Sequence, residues 1–360
     1  MRQALARSAA TLLAVILVLV LFFGLRWTVM AGVFAGMDPV SPGPCRAIAG
    51  LEGPGDFAVD APHDTIIVAA TDRRALAARP DPRDGLYALK LSAPGSAAPI
   101  RLSGTPKDAH LQGISLLHGP GGQEVLMAVN HPRPGIQEVE IFSLTYERGA
   151  PKLTPRSNVA GGLLVSAHDV AAAAPDRFYV TNDHVTKSAA GRFAENYLLW
   201  PHSDLLYFNG TSFRISLQGL TFPSGVFVTA DGGHLYVSVA NQRRIIGFSR
   251  EPFFGTLTEI GSLDLPARPD MISADRDGRL IVAARPSLLG DRQFQDDASK
   301  PSPSEVFRVT LDRSGAPDRY ETIFANDGSA IGAASSAAVA GKLLLIGSAL
   351  DDKMLACRIN

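Results

Sequence analysis

A chain of 360 residues, 46% of them hydrophobic, has ample material for one large core or two ordinary ones and is not a disordered protein. Its 34 basic and 35 acidic residues leave a formal net charge of -1, so no global field exists to attract nucleic acid or another polyanion. At the N-terminus, Arg2 and Arg7 precede an uncharged run from Ser8 to Leu25 that ends at Arg26. As a helix that run would span about 27 Å, enough to cross a membrane or to serve as a signal sequence. Its length and the interfacial Trp27 favour an uncleaved anchor, and the basic N-terminal flank then places the rest of the chain outside the cytoplasm.

Beyond Met37 the sequence repeats one theme, an apolar strand, a turn of Asp, Gly, Pro or His, and a second strand rich in Val, Ile, Tyr or Leu. Such units begin at Phe57, Ile114, Asp169, Gly225 and Met271, with a worn sixth at Ala337. Spacings of this size suit four-stranded blades, and six units predict an all-β, six-bladed propeller over 37–360 behind an anchor over 1–36. No segment after Val33 sustains a 3.6-residue apolar period free of Gly and Pro, which argues against an α/β enzyme with crossover helices. The polar stretch from Gly290 to Pro303 reads as an exposed connection or lid, and Gly119–Gly122 as a hairpin turn rather than a phosphate loop. In a propeller the first strand of each blade lines the central channel, so functional residues are sought beside the starts of those strands.

Two cysteines flank this body, Cys45 and Cys357. A bond between them would tie the ends of the ring together, as a propeller that must not leave open strand edges requires. The alternative is two unpaired buried thiols. An oxidising extracytoplasmic compartment is the setting in which the bond would persist.

Read together, Gln112-Gly113-Ile114-Ser115, Val129-Asn130-His131-Pro132, Thr181-Asn182-Asp183-His184, Pro303-Ser304-Glu305-Val306, Gly341-Lys342-Leu343-Leu344 and the flanking cysteines resemble the serum paraoxonase/arylesterase family. That resemblance implies an extracellular six-bladed propeller, a lactonase or esterase with two calcium ions in its channel. For the structural ion it implies Asp56, Asp169 and the backbone carbonyl of Ile114. For the catalytic ion the family's positions are occupied by Gly55, His168, Ser224, Asp270 and Met271, and only Asp270 is unchanged. A one-residue shift would instead set Asp56 at the family's glutamate and Phe57 at its structural aspartate, but the first alignment keeps the following strand in register. One carboxylate, a hydroxyl and an imidazole make a poor calcium site, so a weak calcium, a nitrogen-preferring metal such as zinc, and a metal-free polar pair of His168 with Asp270 all stay open. The family's leading base is replaced by Gln112, which can position water but cannot take its proton, while the supporting member is kept as His131. His184 is the third candidate, and Arg285 stands where the family has a histidine, either as an anion ligand or in a salt bridge to Asp270.

Three functions follow. The first is a membrane-anchored or secreted lactone or aryl-ester hydrolase with a remodelled site. The second is a non-catalytic propeller that binds a hydrophobic small molecule or a protein. The third is a metal-free enzyme like strictosidine synthase, whose mark would be a lone channel glutamate, for which Glu195 and Glu305 are the candidates. No Gly-x-Ser-x-Gly elbow, HExxH or phosphate loop is present.

Overall fold

Short apolar strands cannot bury both faces alone, and here they do so by stacking blade against blade. The computed structural model describes residues 2–33, 36–74, 83–119 and 122–359. Helix α1 (Arg2–Met30) precedes the edge strand β1 (Cys45–Ala49). The first blade is β2 (Pro54–Asp60), β3 (Thr65–Ala70), β4 (Gly85–Lys90) and β5 (Ile100–Arg101). The second is β6 (Leu111–His118), β7 (Glu124–Asn130), β8 (Glu138–Glu147) and β9 (Ala150–Ala160). The third is β10 (Ala167–Ala174), β11 (Arg177–Asn182), β12 (Ser203–Phe208) and β13 (Phe213–Leu220), with helix α2 (Ala189–Tyr197) inserted between β11 and β12. The fourth is β14 (Pro223–Val228), β15 (His234–Val239), β16 (Arg244–Arg250) and β17 (Leu257–Asp264). The fifth is β18 (Arg268–Ala274), β19 (Leu280–Arg285), β20 (Ser304–Leu311) and β21 (Pro317–Asn326), with helix α3 (Leu288–Asp296) between β19 and β20. The sixth is β22 (Ala334–Ala340), β23 (Leu343–Ser348) and β24 (Lys353–Arg358), completed by β1 from the other end of the chain.

The structure is therefore the six-bladed propeller that the repeats predict. Cys45 lies opposite Cys357 in the β1–β24 ladder and the two are joined by a disulfide, a closure across 312 residues. The second strand of each blade is buried along nearly its whole length, while the fourth is largely exposed. Between neighbouring blades lie apolar cores, such as Ile67, Leu86, Leu126 and Phe142 between the first and second, and Ile66, Val68, Leu345 and Met354 across the closure. Each fully buried Leu, Ile or Phe contributes about 1.5–3 kcal/mol, so the ring is held by its interfaces rather than by any single blade.

Among the described residues no crossover helix joins the strands, as expected. The body does carry two nine-residue helices inserted within blades, because segments that bury one or two side chains each need no sustained apolar period. Their signal was the serine N-cap, Ser188 accepting from Gly191 N–H and Ser287 from Gly290 N–H. The stretch from Gly290 is the mostly exposed connection between β19 and β20 that was expected, but its first half is α3, which buries Asp291 and packs Phe294 on Ala333 and Leu350. The β6–β7 hairpin is formed, although Pro120 and Gly121 of its turn lie outside the described residues.

Helix α1 is apolar and exposed through most of its length, and its end docks on the propeller. Met30 and Ala31 are buried, Leu288 N–H donates to the Ala31 carbonyl, and Trp27 stacks on Tyr197 of α2. That contact sets the end of α1 beside the mouth of the channel.

Candidate active site

All six inner strands share one irregularity: their pairing slips by a residue near the start. Such bulges re-aim side chains, and here they bring two successive positions of every blade beside the axis. The first positions, Gly55, Gln112, His168, Ser224, Asp270 and Ser335, form one ring. The second positions, Asp56, Gly113, Asp169, Gly225, Met271 and Ser336, form another just beneath it. Carbonyls freed by the bulges are satisfied by hydroxyls, Thr71 donating to Leu111 O, Thr181 to Ser224 O and Ser335 to Gly55 O.

The second ring carries the carboxylates of Asp56 and Asp169, both buried. Asp56 accepts N–H groups of Phe57 (2.9 Å) and Ile114 (2.7 Å), and Asp169 those of Val170 and Val226 (both 2.8 Å). Burial raises Asp56 to about 7 and, with the Asp56 charge, raises Asp169 well above the usual carboxylate range. Glycine alternates with them by necessity: a Cβ on Gly113 would stand 2.1 Å from Asp169 Oδ1, and one on Gly225 would stand 2.4 Å from Asp270 O. Two buried carboxylates with free lone pairs, in contact with backbone amides, form a donor set that fits a hard divalent cation. They line the channel from one end, where a cavity of about 900 Å³ opens.

The first ring faces a cavity of about 470 Å³ at the other end, lined also by Arg73, Asp183, Arg268, Asp291 and the apolar Trp27, Phe222, Leu288 and Leu350. Here the carboxylates Asp270 and Asp183 are already paired. Asp270 accepts from Arg285 Nη2 (2.7 Å) and from His168 Nε2 (3.2 Å), and Asp183 faces His168 Nδ1 (3.3 Å) and His184 Nδ1 (2.8 Å). Burial disfavours the His168 imidazolium, but the two carboxylates outweigh it and raise His168 to about 9. Burial likewise opposes ionisation of Asp183 and Asp270, which their cationic partners nonetheless hold below the usual range. Over Gly55 the room for a side chain is taken by the Arg73 guanidinium, whose Nη1 lies 2.7 Å from where a Cβ would be. Ser224 is turned away into bonds with Ser238 and the Pro269 carbonyl. Gly55 offers no side-chain oxygen, and Met271, which reaches this cavity from the second ring, offers none either, so the residues lining it do not fit a calcium ion.

Gln112 reaches His168 Nδ1 at 3.2 Å. His131 stands outside the cavity lining and donates Nε2–H to the Ala167 carbonyl at 2.8 Å, and burial lowers it to about 4. His184 is the stronger base: burial works against its charge, but Asp183 raises it. Its Nε2 meets Asn196 Oδ1 of α2 at 3.0 Å. The sequence reading passed over Asp183, Arg73, Arg268 and Asp291. Asp183 stood inside a quoted motif, whereas the arginines lie in segments without one. Neither glutamate candidate reaches the axis: Glu195 accepts the Val185 and Thr186 N–H groups, and Glu305, raised by burial to about 7, belongs to the third strand of its blade. At the opposite rim, Asp60, His118 and Glu124 turn ligand atoms within 4.8 Å of one another, and Tyr146 and His63 close on Asp60.

The family profile described as Arylesterase matches residues 42–359, the whole propeller. The chain belongs to the arylesterase family. Serum paraoxonase/arylesterase 2 of Bos taurus is 29% identical over 248 residues, 69% of this chain and 68% of that one. Serum paraoxonase/arylesterase 1 of Mus musculus is 30% identical over 246 residues, 68% and 67% of the two chains. Among solved structures, a luciferin-regenerating enzyme covers 87% of this arylesterase-family chain and 94% of its own at TM-score 0.54 and 13% identity. A protein described as a putative gluconolactonase covers 89% and 94% at TM-score 0.51 and 15% identity. These last two likenesses bear on the propeller fold alone.

Proposed function

We propose that this arylesterase-family protein hydrolyses carboxylic esters or lactones in the first-ring cavity, on the extracytoplasmic side of a membrane in which α1 is the anchor. The observation that carries the reading is a cavity at the bulged strand starts where the Gln112 amide, His168, Asp183 and several arginines converge beside an apolar wall, with His184 bonded to Asp183 just outside the lining. Gln112 would hold the attacking water. The proton would pass to the Asp183–His184 pair, because His131, lowered to about 4, is too weak a base at neutral pH. His168, charged at neutral pH by its two carboxylates, would face the negative charge that develops on the carbonyl oxygen.

Asp56 and Asp169, with the Ile114 carbonyl, would hold one calcium ion, which when bound supplies the positive charge that these carboxylates lack among protein side chains. A second reading, a propeller that binds its ligand without turnover, is favoured by the closure of Asp270 between Arg285 and His168. The deciding experiment is hydrolysis of phenyl acetate and a lactone series by the full chain and by Asp183→Asn and His184→Gln. Turnover that falls about 100-fold or more in both variants supports the hydrolase. A folded wild-type chain inert toward the whole series supports the binding reading.

A further inference from the structure

The first ring holds an excess of buried positive charge that no partner in the fold accounts for. Arg73, Arg268, Arg285 and His168 all line its cavity, against the carboxylates of Asp183, Asp270 and Asp291. The Arg73 contacts are all to neutral carbonyls, Gly53 and Ala349 from Nη1 and Leu111 from Nη2. Arg268 donates to the neutral Asn241 Oδ1 at 3.1 Å, and its nearest approach to Asp291 is 3.8 Å. Only Arg285 has a close ion pair, at 2.7 Å to Asp270. Among the described residues the Nε groups of Arg268 and Arg285 are buried with no hydrogen-bond partner, Asp291 Oδ2 standing 3.7 Å from Arg285 Nε and beyond bonding distance, and each unmet donor costs about 1–3 kcal/mol unless a ligand supplies the acceptor. The same cavity carries the apolar faces of Trp27, Phe222, Leu288 and Leu350.

We propose that this cavity binds an organic monocarboxylate with an apolar tail, its carboxylate held by the guanidinium groups of Arg73, Arg268 and Arg285, which stand in the place of a second calcium ion. The proposal rests on the hydrolase reading only in setting ligand and ester in the same cavity. The chemistry selects the ligand. Guanidinium forks match a carboxylate in two parallel hydrogen bonds. The residual charge of the cluster calls for a singly charged group, and the apolar wall excludes a fully hydrated anion such as inorganic phosphate. A calcium ion would meet the Arg73 guanidinium where the family has a ligand carboxylate, and Asp270 is the one carboxylate at the family's catalytic-ion positions.

The test uses the full chain in detergent, saturated with calcium, and titrates benzoate and then inorganic phosphate by calorimetry, with elemental analysis of the same sample. Arg73 joins three segments through its carbonyl contacts, so the decisive variant is Arg285→Gln, whose native partners are side chains, with Arg285→Lys as the charge-retaining control and a thermal melt on each. The expected result is one benzoate per chain, a Kd weakened about tenfold or more in Arg285→Gln and partly restored in Arg285→Lys, no competition by phosphate, and one calcium per chain. Equal benzoate affinity in wild type and Arg285→Gln, no benzoate binding, tighter phosphate binding, or two calcium ions per chain would each overturn it. Benzoate binding without ester turnover removes the hydrolase reading and keeps this one. Turnover without benzoate binding does the reverse.

Discussion

Two rings of side chains, one residue apart in every blade, are built on opposite electrostatic plans. In the second ring, Asp56 and Asp169 are buried on backbone amides with no side-chain cation in contact among the described residues, and burial pushes both toward the protonated form. In the first ring, Asp270 and Asp183 are gripped by Arg285, His168 and His184 and held ionised. A carboxylate without a partner invites a metal, and one with a guanidinium at 2.7 Å does not. The strand bulge brings both plans to the axis, so the sequence can alter the first ring while leaving the second intact.

The largest expected effect comes from destroying the geometry that separates the rings. Gly113→Ala sets a Cβ 2.1 Å from Asp169 Oδ1 and 2.6 Å from the Cα of the same residue, a buried carboxylate and its backbone. Overpacking of this kind with displacement of a buried charge is expected to cost about 4 kcal/mol or more, enough to prevent folding. Gly162→Ala, where nothing lies within 4 Å, is the control. Soluble yield and melting temperature check it, and a Gly113→Ala protein as stable as the control would mean that the rings are not packed as described.

Next comes the closure on which both rings depend. Reduction of Cys45–Cys357 removes the covalent link between β1 and β24 and leaves only their backbone ladder to close the ring. The chain-entropy model puts so long a loop at roughly 5 to 6 kcal/mol, an upper bound because unfolded chains retain structure. A melting temperature unchanged in reductant would show that the interblade cores alone hold the ring.

The comparison itself is tested by Asp169→Ala against Asp270→Ala. The first removes one of the carboxylates proposed to hold calcium and is expected to abolish any stabilisation that added calcium gives in a thermal melt. The second leaves Arg285 without its ion pair but leaves calcium stabilisation in place, and its own cost is about 3–5 kcal/mol for the uncompensated buried charge. Equal loss of the calcium response in both would erase the distinction between the rings.

Much of this arrangement was legible in the sequence, and the illegible part has a physical reason. The six unit starts fall within or directly beside the inner strands, because alternating burial and turn residues are local signals. The staple was readable from two cysteines. What could not be read was how the space above Gly55 is filled. Arg73 arrives there from the loop after β3, in a segment with no motif, and only the fold shows that its guanidinium covers the glycine. Asp291 was hidden similarly, in a polar stretch whose burial depends on Phe294 docking against the sixth blade. Local pattern reveals which residues reach the axis, but it does not reveal which distant cation meets them.

The smallest effect is the most specific to the first ring. His168 is raised from its ordinary value of 6.5 to about 9, with burial opposing the charge and Asp183 and Asp270 prevailing. The folded state therefore binds a proton that the unfolded state releases between those two values. The resulting stability is fully present below pH 6.5 and is lost as pH rises through about 9. Thermal melts across this window should fall with pH in the wild-type chain and flatten in His168→Gln. Asp56 contributes no comparable slope there, because its shift, from 3.8 to about 7, acts at lower pH. A wild-type profile flat from pH 6.5 to 9 would mean that His168 is neutral in the fold, in which case Asp270 has only Arg285 for a close charged partner and the first ring loses one of the cations that distinguish it from the second.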